Sequence, residues 1–235
     1  MPHVPARALR LTSSSLLLAA ALLGACDDGP TPPAASTGPA TAPAPAAAAP
    51  EAPAQPAPAA PAQAAATGIE TLQADAAASS IGFTGSKVTG SHDGTFARFT
   101  ATVTLHGGKA EGSSVSVDID MGSLAIEPER LRGHLLSPDL FDAAQFPRAT
   151  FASSAIVPAT TRGATHTVTG NLTLHGVTKS ISFPATIRVN ADSVEARAEF
   201  TLNRRDFGIV YPGMPDDLIR DEVPLRLALR APRGR

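Results

Sequence analysis

Apolar and polar residues alternate with a period of two over much of the chain from residue 80 onward. Between Phe99 and Leu105, for example, every second residue is apolar and the residues between them are threonines. This periodicity predicts β-strands with one buried face and one face in solvent. The same alternation recurs in at least seven segments, at 80–84, 99–105, 114–121, 168–174, 181–189, 194–202 and 223–230.

Turn-forming residues separate these segments, as at 106–108 and 190–192. A continuous sheet with a single apolar face must curl to bury that face, either as a barrel or as a two-sheet sandwich. Segments of up to eight to ten residues with short connections favour the barrel. We therefore predict one all-β, antiparallel domain over residues 69–235.

One segment carries the spacing of a helix instead. Leu131 and Leu135 lie one turn apart within 126–136, and Pro128 suits a first helical turn. The following Ser-Pro-Asp at 137–139 ends the helix, because a residue before proline avoids the α region. We expect one short helix that is either a lid over a barrel mouth or a plain crossover between strands.

The amino-terminal residues have the pattern of a secretion signal. Arg7 and Arg10 precede a short apolar run at 16–23, and Leu-Gly-Ala-Cys at 23–26 resembles the lipobox of bacterial lipoproteins. The run is shorter than the ~20 residues that a spanning helix needs. We predict a signal peptide at 1–25 and lipidation of Cys26, rather than an ordinary cleavage site with an incidental thiol.

Residues 26–68 are predicted to be a disordered tether. The stretch from 27 consists almost entirely of Ala, Pro, Thr, Gln and Gly, so it has no large apolar side chains to bury. Prolines favour an extended chain, and 42 residues could reach on the order of 130 Å. The composition does not distinguish a functional stand-off from an inert spacer.

Charge and chemistry exclude several classes of function. The chain has 19 basic and 21 acidic residues, and removal of 1–25 would leave a net charge of −4. No basic cluster indicates nucleic-acid binding. The histidines form no HxH or HxxxH pair, so strand-end hydrogen bonds are favoured over a metal site. No nucleophile motif is present, and we predict no enzyme activity, no metal and no cofactor.

Three blocks together resemble the YceI family of bacterial envelope proteins. They are HLLSPDLFDAAQFPRATF at 134–151, GNLTLHGVTK at 170–179 and LNRRDFGI at 202–209. The resemblance covers roughly 69–231, whereas SKVTGSHDGTF at 86–96 departs from the usual family pattern. It implies an eight-stranded, lipocalin-like barrel with an apolar cavity, in which some members bind polyisoprenoids or polyisoprenoid quinones.

The inward positions of the predicted strands also include the small side chains Ala101, Ala185, Ala196 and Ala198, which we expect to leave the cavity partly vacant. Arg204 is a candidate contact for a ligand head group, although an Arg–Asp pair that pins a turn is the favoured interpretation. The expected cavity lining is Phe83, Phe99, Val117, Phe141, Phe146, Phe151, Leu172, Phe183 and Phe200.

The leading hypothesis is therefore a non-catalytic carrier of an apolar isoprenoid-like lipid. The protein would lie in the bacterial envelope and face the periplasm, with lipidated Cys26 as its membrane anchor. A second copy of the chain, in a homodimer, is considered as a partner. The first alternative is a ligand-free interaction or stress-response module for a membrane respiratory partner, marked by an apolar outer patch. The second is an enzyme acting on a lipid, marked by clustered histidines.

Overall fold

The computed structural model describes residues 31–40, 68–160 and 163–234. The predicted signal peptide, Cys26 and the tether residues 27–30 and 41–67 lie outside these ranges. The described elements are β1 (Ser36–Pro39), β2 (Ile69–Gln73), β3 (Ser80–Lys87), β4 (Gly90–Phe96), β5 (Phe99–His106), β6 (Lys109–Asp120), β7 (Leu124–Ile126), α1 (Glu129–Leu136), β8 (Arg148–Pro158), β9 (His166–Leu174), β10 (Val177–Val189), β11 (Ser193–Asn203), β12 (Gly213–Met214), β13 (Asp217–Leu218) and β14 (Glu222–Pro232).

The strands form one curled antiparallel sheet, a half-barrel, as the all-β prediction requires. Eleven strands follow the order β2-β5-β6-β8-β9-β10-β11-β14-β3-β4-β7, and β1 pairs with β10 off this path. The predicted count of eight strands is corrected to twelve in this sheet. Three of the twelve, β1, β2 and β7, have five residues or fewer, which is too short to show a clear alternation.

The curl brings β2 close to β14 without a ladder between them in the described part of the chain. Just after β2, the Asp75 N–H donates to the Arg230 carbonyl at 2.8 Å. Near the start of β2, Arg233 Nη2 pairs with Glu70 Oε2 at 2.7 Å. These contacts bring the two strands together where a closed barrel would have a continuous ladder.

The interior of the half-barrel is filled at one end, here called the far end. There Phe83, Leu124 and Ile126 form a buried cluster, against which Phe141 and leucines of α1 pack. The helix begins at Glu129 rather than 126, because Ile126 belongs to β7 and Pro128 is the extended N-cap. Its carboxyl end at Ser137 agrees with the prediction.

Part of the predicted tether is a strand, so the expectation of disorder is wrong for residues 31–40. Ser36–Pro39 pairs antiparallel with Lys179–Ser182 of β10. Ala34 forms a parallel bridge with Thr201 of β11. We call residues 31–40 the strap. The amino-acid composition gives no sign of this strand, since an exposed strand of small residues and prolines carries little hydrophobic signal.

Candidate functional site

An apolar cavity lies inside the half-barrel, toward the end formed by the turns at 107–108 and 190–192, here called the cavity end. Its volume is about 90 Å³ for water-sized occupants, within about 780 Å³ of unfilled space that includes open solvent. Among its lining residues are Val103, Leu105, Ala110, Val115, Val117, Phe151, Ile156, Val168, Phe183, Ala185, Ile187, Val194, Ala196, Ala198, Leu227, Leu229 and Ala231.

Small side chains on β10 and β11 account for much of the vacancy. Ala185 lies opposite Ala198, and Ala196 lies opposite Ile187, so inward positions of these paired strands leave room where larger residues would fill it. Ala185, Ala196 and Ala198 line the cavity. Because these side chains are small, the interior beside them is not fully packed, although the β10–β11 ladder continues through the same residues. Ala101, which is also expected to leave space there, is instead buried in the cluster that contains Ile81 and Val117.

Gly170 on β9 leaves space for the Phe151 ring in the same wall of the cavity. Gly170 interrupts the alternation of Val168, Leu172 and Leu174. A Cβ at Gly170 would lie 2.6 Å from Cζ of Phe151 and would also overlap the Ala152 carbonyl oxygen. The Phe151 ring, which lines the cavity, therefore occupies the space that a side chain at residue 170 would need.

Of the nine residues expected to line the cavity, the structure places three there: Val117, Phe151 and Phe183. Most of the missed lining positions share the inward parity of their strands but are aliphatic or small, whereas the prediction favours aromatic residues; Arg197 and Ser114 are lining residues of the opposite parity. Parity alone would have found Leu227 and Leu229 on β14.

The other six residues pack elsewhere, because the far half of the interior is filled. Phe83 and Phe141 meet edge to face in the cluster beneath α1. Phe146 packs edge-on against His175, with ring centroids 4.8 Å apart. Phe99 packs against the buried cluster of Ile81, Ala101 and Val117. Leu172 packs against the cluster that contains Phe183, and Phe200 is itself buried and stacks on Phe183.

Arg204 does not reach the cavity, which corrects its candidacy as a head-group contact. Its guanidinium is buried and donates to the carbonyls of Ile209 at 2.7 Å and Arg220 at 3.1 Å. Nη2 also donates to Asp221 Oδ1 at 2.8 Å. Burial lowers the pKa of Arg204, and the Asp221 charge opposes that shift. The structure thus gives Arg204 the role of holding the turn after β11, in a pair with Asp221.

The carboxylate of Asp221 is shared between two arginines. Its Oδ2 lies 2.7 Å from Arg205 Nε, while Oδ1 accepts from Arg204. The hydrogen bond from Arg205 and the charges of both arginines hold the pKa of Asp221 below its usual value. The ion pairs of Asp221 with Arg204 and Arg205 therefore stabilise the 3-10 turn at Arg204–Phe207, outside the cavity.

The histidines of the described residues do not assemble a metal site, and no group of three or more His, Cys, Asp or Glu side chains converges there. His175 Nδ1 lies 3.2 Å from the Phe207 carbonyl, which is a strand-end hydrogen bond of the expected kind. His166, which is buried, lies 3.6 Å from Glu111 through Nε2 and 2.7 Å from Thr165 Oγ1 through Nδ1. Within the described ranges, no helix is long and apolar enough to cross a membrane.

The fold and cavity define a curled β half-barrel with an internal apolar chamber. Residues 72–231 match the model of the YceI-like domain, and the chain therefore belongs to the YceI-like family. The resemblance seen in the sequence is confirmed.

Individual relatives support the same assignment. A UPF0312 protein of Pseudomonas putida strain W619 is 38% identical over 126 residues, which cover 51% of this chain and 65% of that protein. The match thus spans slightly less than two thirds of the relative's length. Among solved structures, Burkholderia cenocepacia BcnA is 28% identical with a TM-score of 0.60, covering 67% of this chain and 99% of BcnA.

A second solved structure shares the fold at lower identity. The polyisoprenoid binding domain from Saccharophagus degradans, implicated in plant cell wall breakdown, is 18% identical with a TM-score of 0.55. The match covers 72% of this chain and 99% of that domain.

Proposed function

We propose that this protein is a membrane-tethered, non-catalytic binder of an apolar isoprenoid-like lipid, such as a polyisoprenoid or a quinone, in the bacterial envelope. The observation that carries the proposal is the cavity, whose walls are almost entirely apolar and whose alanines leave it partly vacant. The polyisoprenoid-binding neighbour with the same fold supports this ligand class. Each methylene buried there contributes about 0.8 kcal/mol.

The size of the cavity limits how the ligand binds. A volume of about 90 Å³ is well below the roughly 300–1,000 Å³ typical of pockets that enclose a drug-sized ligand. A long isoprenoid therefore either leaves part of its chain outside or moves the lining apart. The aliphatic walls are compatible with the latter, because shifts of these side chains break no hydrogen bonds; among the lining residues, Ser113 is held by hydrogen bonds to the β5–β6 turn.

Lipidated Cys26 would hold the domain on the periplasmic side of an envelope membrane. The motif at 23–26 and the preceding apolar run support this part of the proposal. Several acyl chains give stable anchoring, whereas one alone is marginal.

The test is native mass spectrometry of the full protein purified from bacterial membranes, followed by titration with decylubiquinone and a C20 prenol. We expect a bound lipid to survive purification, and the emptied protein to take up at least one of the probes. The same spectra report the acyl mass on Cys26 and any homodimer. Absence of bound lipid together with no uptake of either probe would refute the carrier role.

One observation favours the alternative of an interaction module. Four of the exposed large apolar side chains belong to the β3–β4 turn and to residues 210–218: Val88, Val210, Met214 and Leu218. The Val88 N–H donates to the Leu218 carbonyl at 3.2 Å, which joins these two segments. If this surface carried the function, Val88→Ser with Met214→Ser would abolish partner binding without changing uptake of decylubiquinone.

A further inference from the structure

The strap fills a split in the sheet between β10 and β11. These strands pair from Ala185–Ala198 to Val189–Val194. Toward the far end, β10 pairs instead with the strap, through Lys179–Ser182. Pro184 lies where the β10–β11 ladder stops, and it has no N–H to continue that ladder.

Thr201 of β11 forms three hydrogen bonds to the strap across the split. Thr201 of β11 is buried, and its backbone N–H donates to the Pro33 carbonyl at 2.9 Å. Its carbonyl accepts from the Ala35 N–H at 2.8 Å, and its hydroxyl donates to the Pro32 carbonyl at 3.2 Å. The strap therefore supplies partners for both backbone groups of Thr201 and for its hydroxyl.

Side chains add to this backbone pairing. Ala35 is half-buried and packs against the core cluster that contains Phe183 and Phe200. Thr37 Oγ1 donates to Asp206 Oδ2 at 2.9 Å, in the 3-10 turn after β11. The strap is therefore held by both neighbouring strands and by the core.

The strap also has a direction. It runs antiparallel to β10 and parallel to β11, so its amino-terminal residue, Thr31, points toward the cavity end of β11. Only five residue steps connect Thr31 to Cys26. They span at most about 17 Å, against the order of 130 Å available to a free tether of 42 residues.

We propose that the strap binds the β10–β11 split and thereby holds the cavity end of the half-barrel against the lipid bilayer that carries the anchor. This inference rests on the proposed lipidation of Cys26. The bilayer is then the partner of the cavity end, and an apolar ligand passes between membrane and cavity over a short distance. Release of the strap frees the domain to move away and to lose this orientation.

The test uses the full lipidated protein in phosphatidylcholine vesicles that contain a nitroxide-labelled lipid. Acylation consumes the single native thiol, so a dye can be placed at Ala191→Cys, in the turn at the cavity end, or at Ser91→Cys, in β4 near the far end. We expect the membrane nitroxide to quench the dye at residue 191 at least threefold more than the dye at residue 91.

A matched pair of strap variants tests the cause. Ala35→Glu places a charge against the apolar core and should release the strap, whereas Ser36→Glu adds the same charge at an exposed neighbouring position. Ala35→Glu should abolish the difference in quenching. It should also speed hydrogen exchange at least tenfold for those amides of Lys179–Ser182 that face the strap rather than β9. Ser36→Glu should leave both as in the parent, and cooperative unfolding of each variant shows that the domain is folded.

Equal quenching at the two positions, or indistinguishable behaviour of the two strap variants, would overturn the proposal. The acyl mass on Cys26 separates its failure from that of the proposed anchor. An unacylated Cys26 overturns anchor and orientation together. An acylated Cys26 with equal quenching overturns the orientation alone.

Discussion

The rings of Phe183 and Phe200 stack with their centroids 4.2 Å apart and their planes 11° apart, where β10 and β11 begin to separate. Phe183 lines the cavity, whereas Phe200 is buried beside it and faces the filled half of the interior. The stacked pair thus marks the boundary between an open half and a packed half. Ligand binding and stability should accordingly respond to different substitutions.

Glycine on β4 should prove essential to the packed half. A Cβ at Gly94 would lie 2.6 Å from two atoms of the Phe83 ring, so Gly94→Ala must displace that ring from the cluster under α1. We expect a loss of about 1–3 kcal/mol in the free energy of unfolding, measured by urea denaturation. Gly90→Ala on the same strand is the control, because nothing lies within 4 Å of a Cβ there. Equal stability of the two variants would contradict this role of Gly94.

Arg204 should matter for stability and not for ligand affinity. Arg204→Ala leaves the carbonyls of Ile209 and Arg220 without their donor and removes a partner of Asp221. We expect destabilisation by about 3 kcal/mol in urea unfolding, with the affinity of the folded protein for decylubiquinone unchanged. Arg205→Ala, at an exposed position, should cost less. A tenfold loss of affinity in folded Arg204→Ala would restore the head-group role.

Acid should weaken the fold through Asp221. Its pKa is lower in the folded state, chiefly because Arg205 donates to it and Arg204 adds charge, so its carboxylate stabilises the fold above the unfolded pKa of about 3.9. That stabilisation is lost as the pH falls below this value toward the folded pKa. Urea midpoints between pH 6 and pH 3 should fall less steeply in Asp221→Asn than in the parent.

The control for this pH dependence is Asp216→Asn, an exposed carboxylate in the turn between β12 and β13. We expect it to keep the parental slope of midpoint against pH. Identical slopes for Asp221→Asn and Asp216→Asn would show that the arginine pair does not contribute to acid sensitivity.

Alternation in the sequence predicts much of this fold, because strands such as β5, β11 and β14 bury one face each and repeat the pattern over eight residues or more. Short strands escape this signal. The polar β4, of sequence GSHDGTF, escapes it as well, since its pairing is set by β3 and β7 rather than by its own side chains.

The site was harder to predict, because alternation shows which side chains point inward and not which half of the interior is filled. Phe83 and Val117 both point inward. Phe83 is covered by leucines of α1, whereas Val117 lines the cavity. That difference depends on where α1 and the loop to Phe146 fold back, which is a long-range property. The strap illustrates the same limit, since its pairing partners on β10 lie 140 residues or more away in sequence.

The central claim is that an apolar ligand occupies the cavity, and filling that cavity tests it most directly. Ala196→Leu combined with Ala198→Leu adds bulk on the inward face of β11, whereas Glu199→Leu adds a leucine on the outward face of the same strand. Uptake of decylubiquinone is measured by native mass spectrometry and equilibrium dialysis. We predict at least a tenfold loss of affinity for the double variant and parental affinity for Glu199→Leu. Parental affinity in a folded double variant would contradict the account.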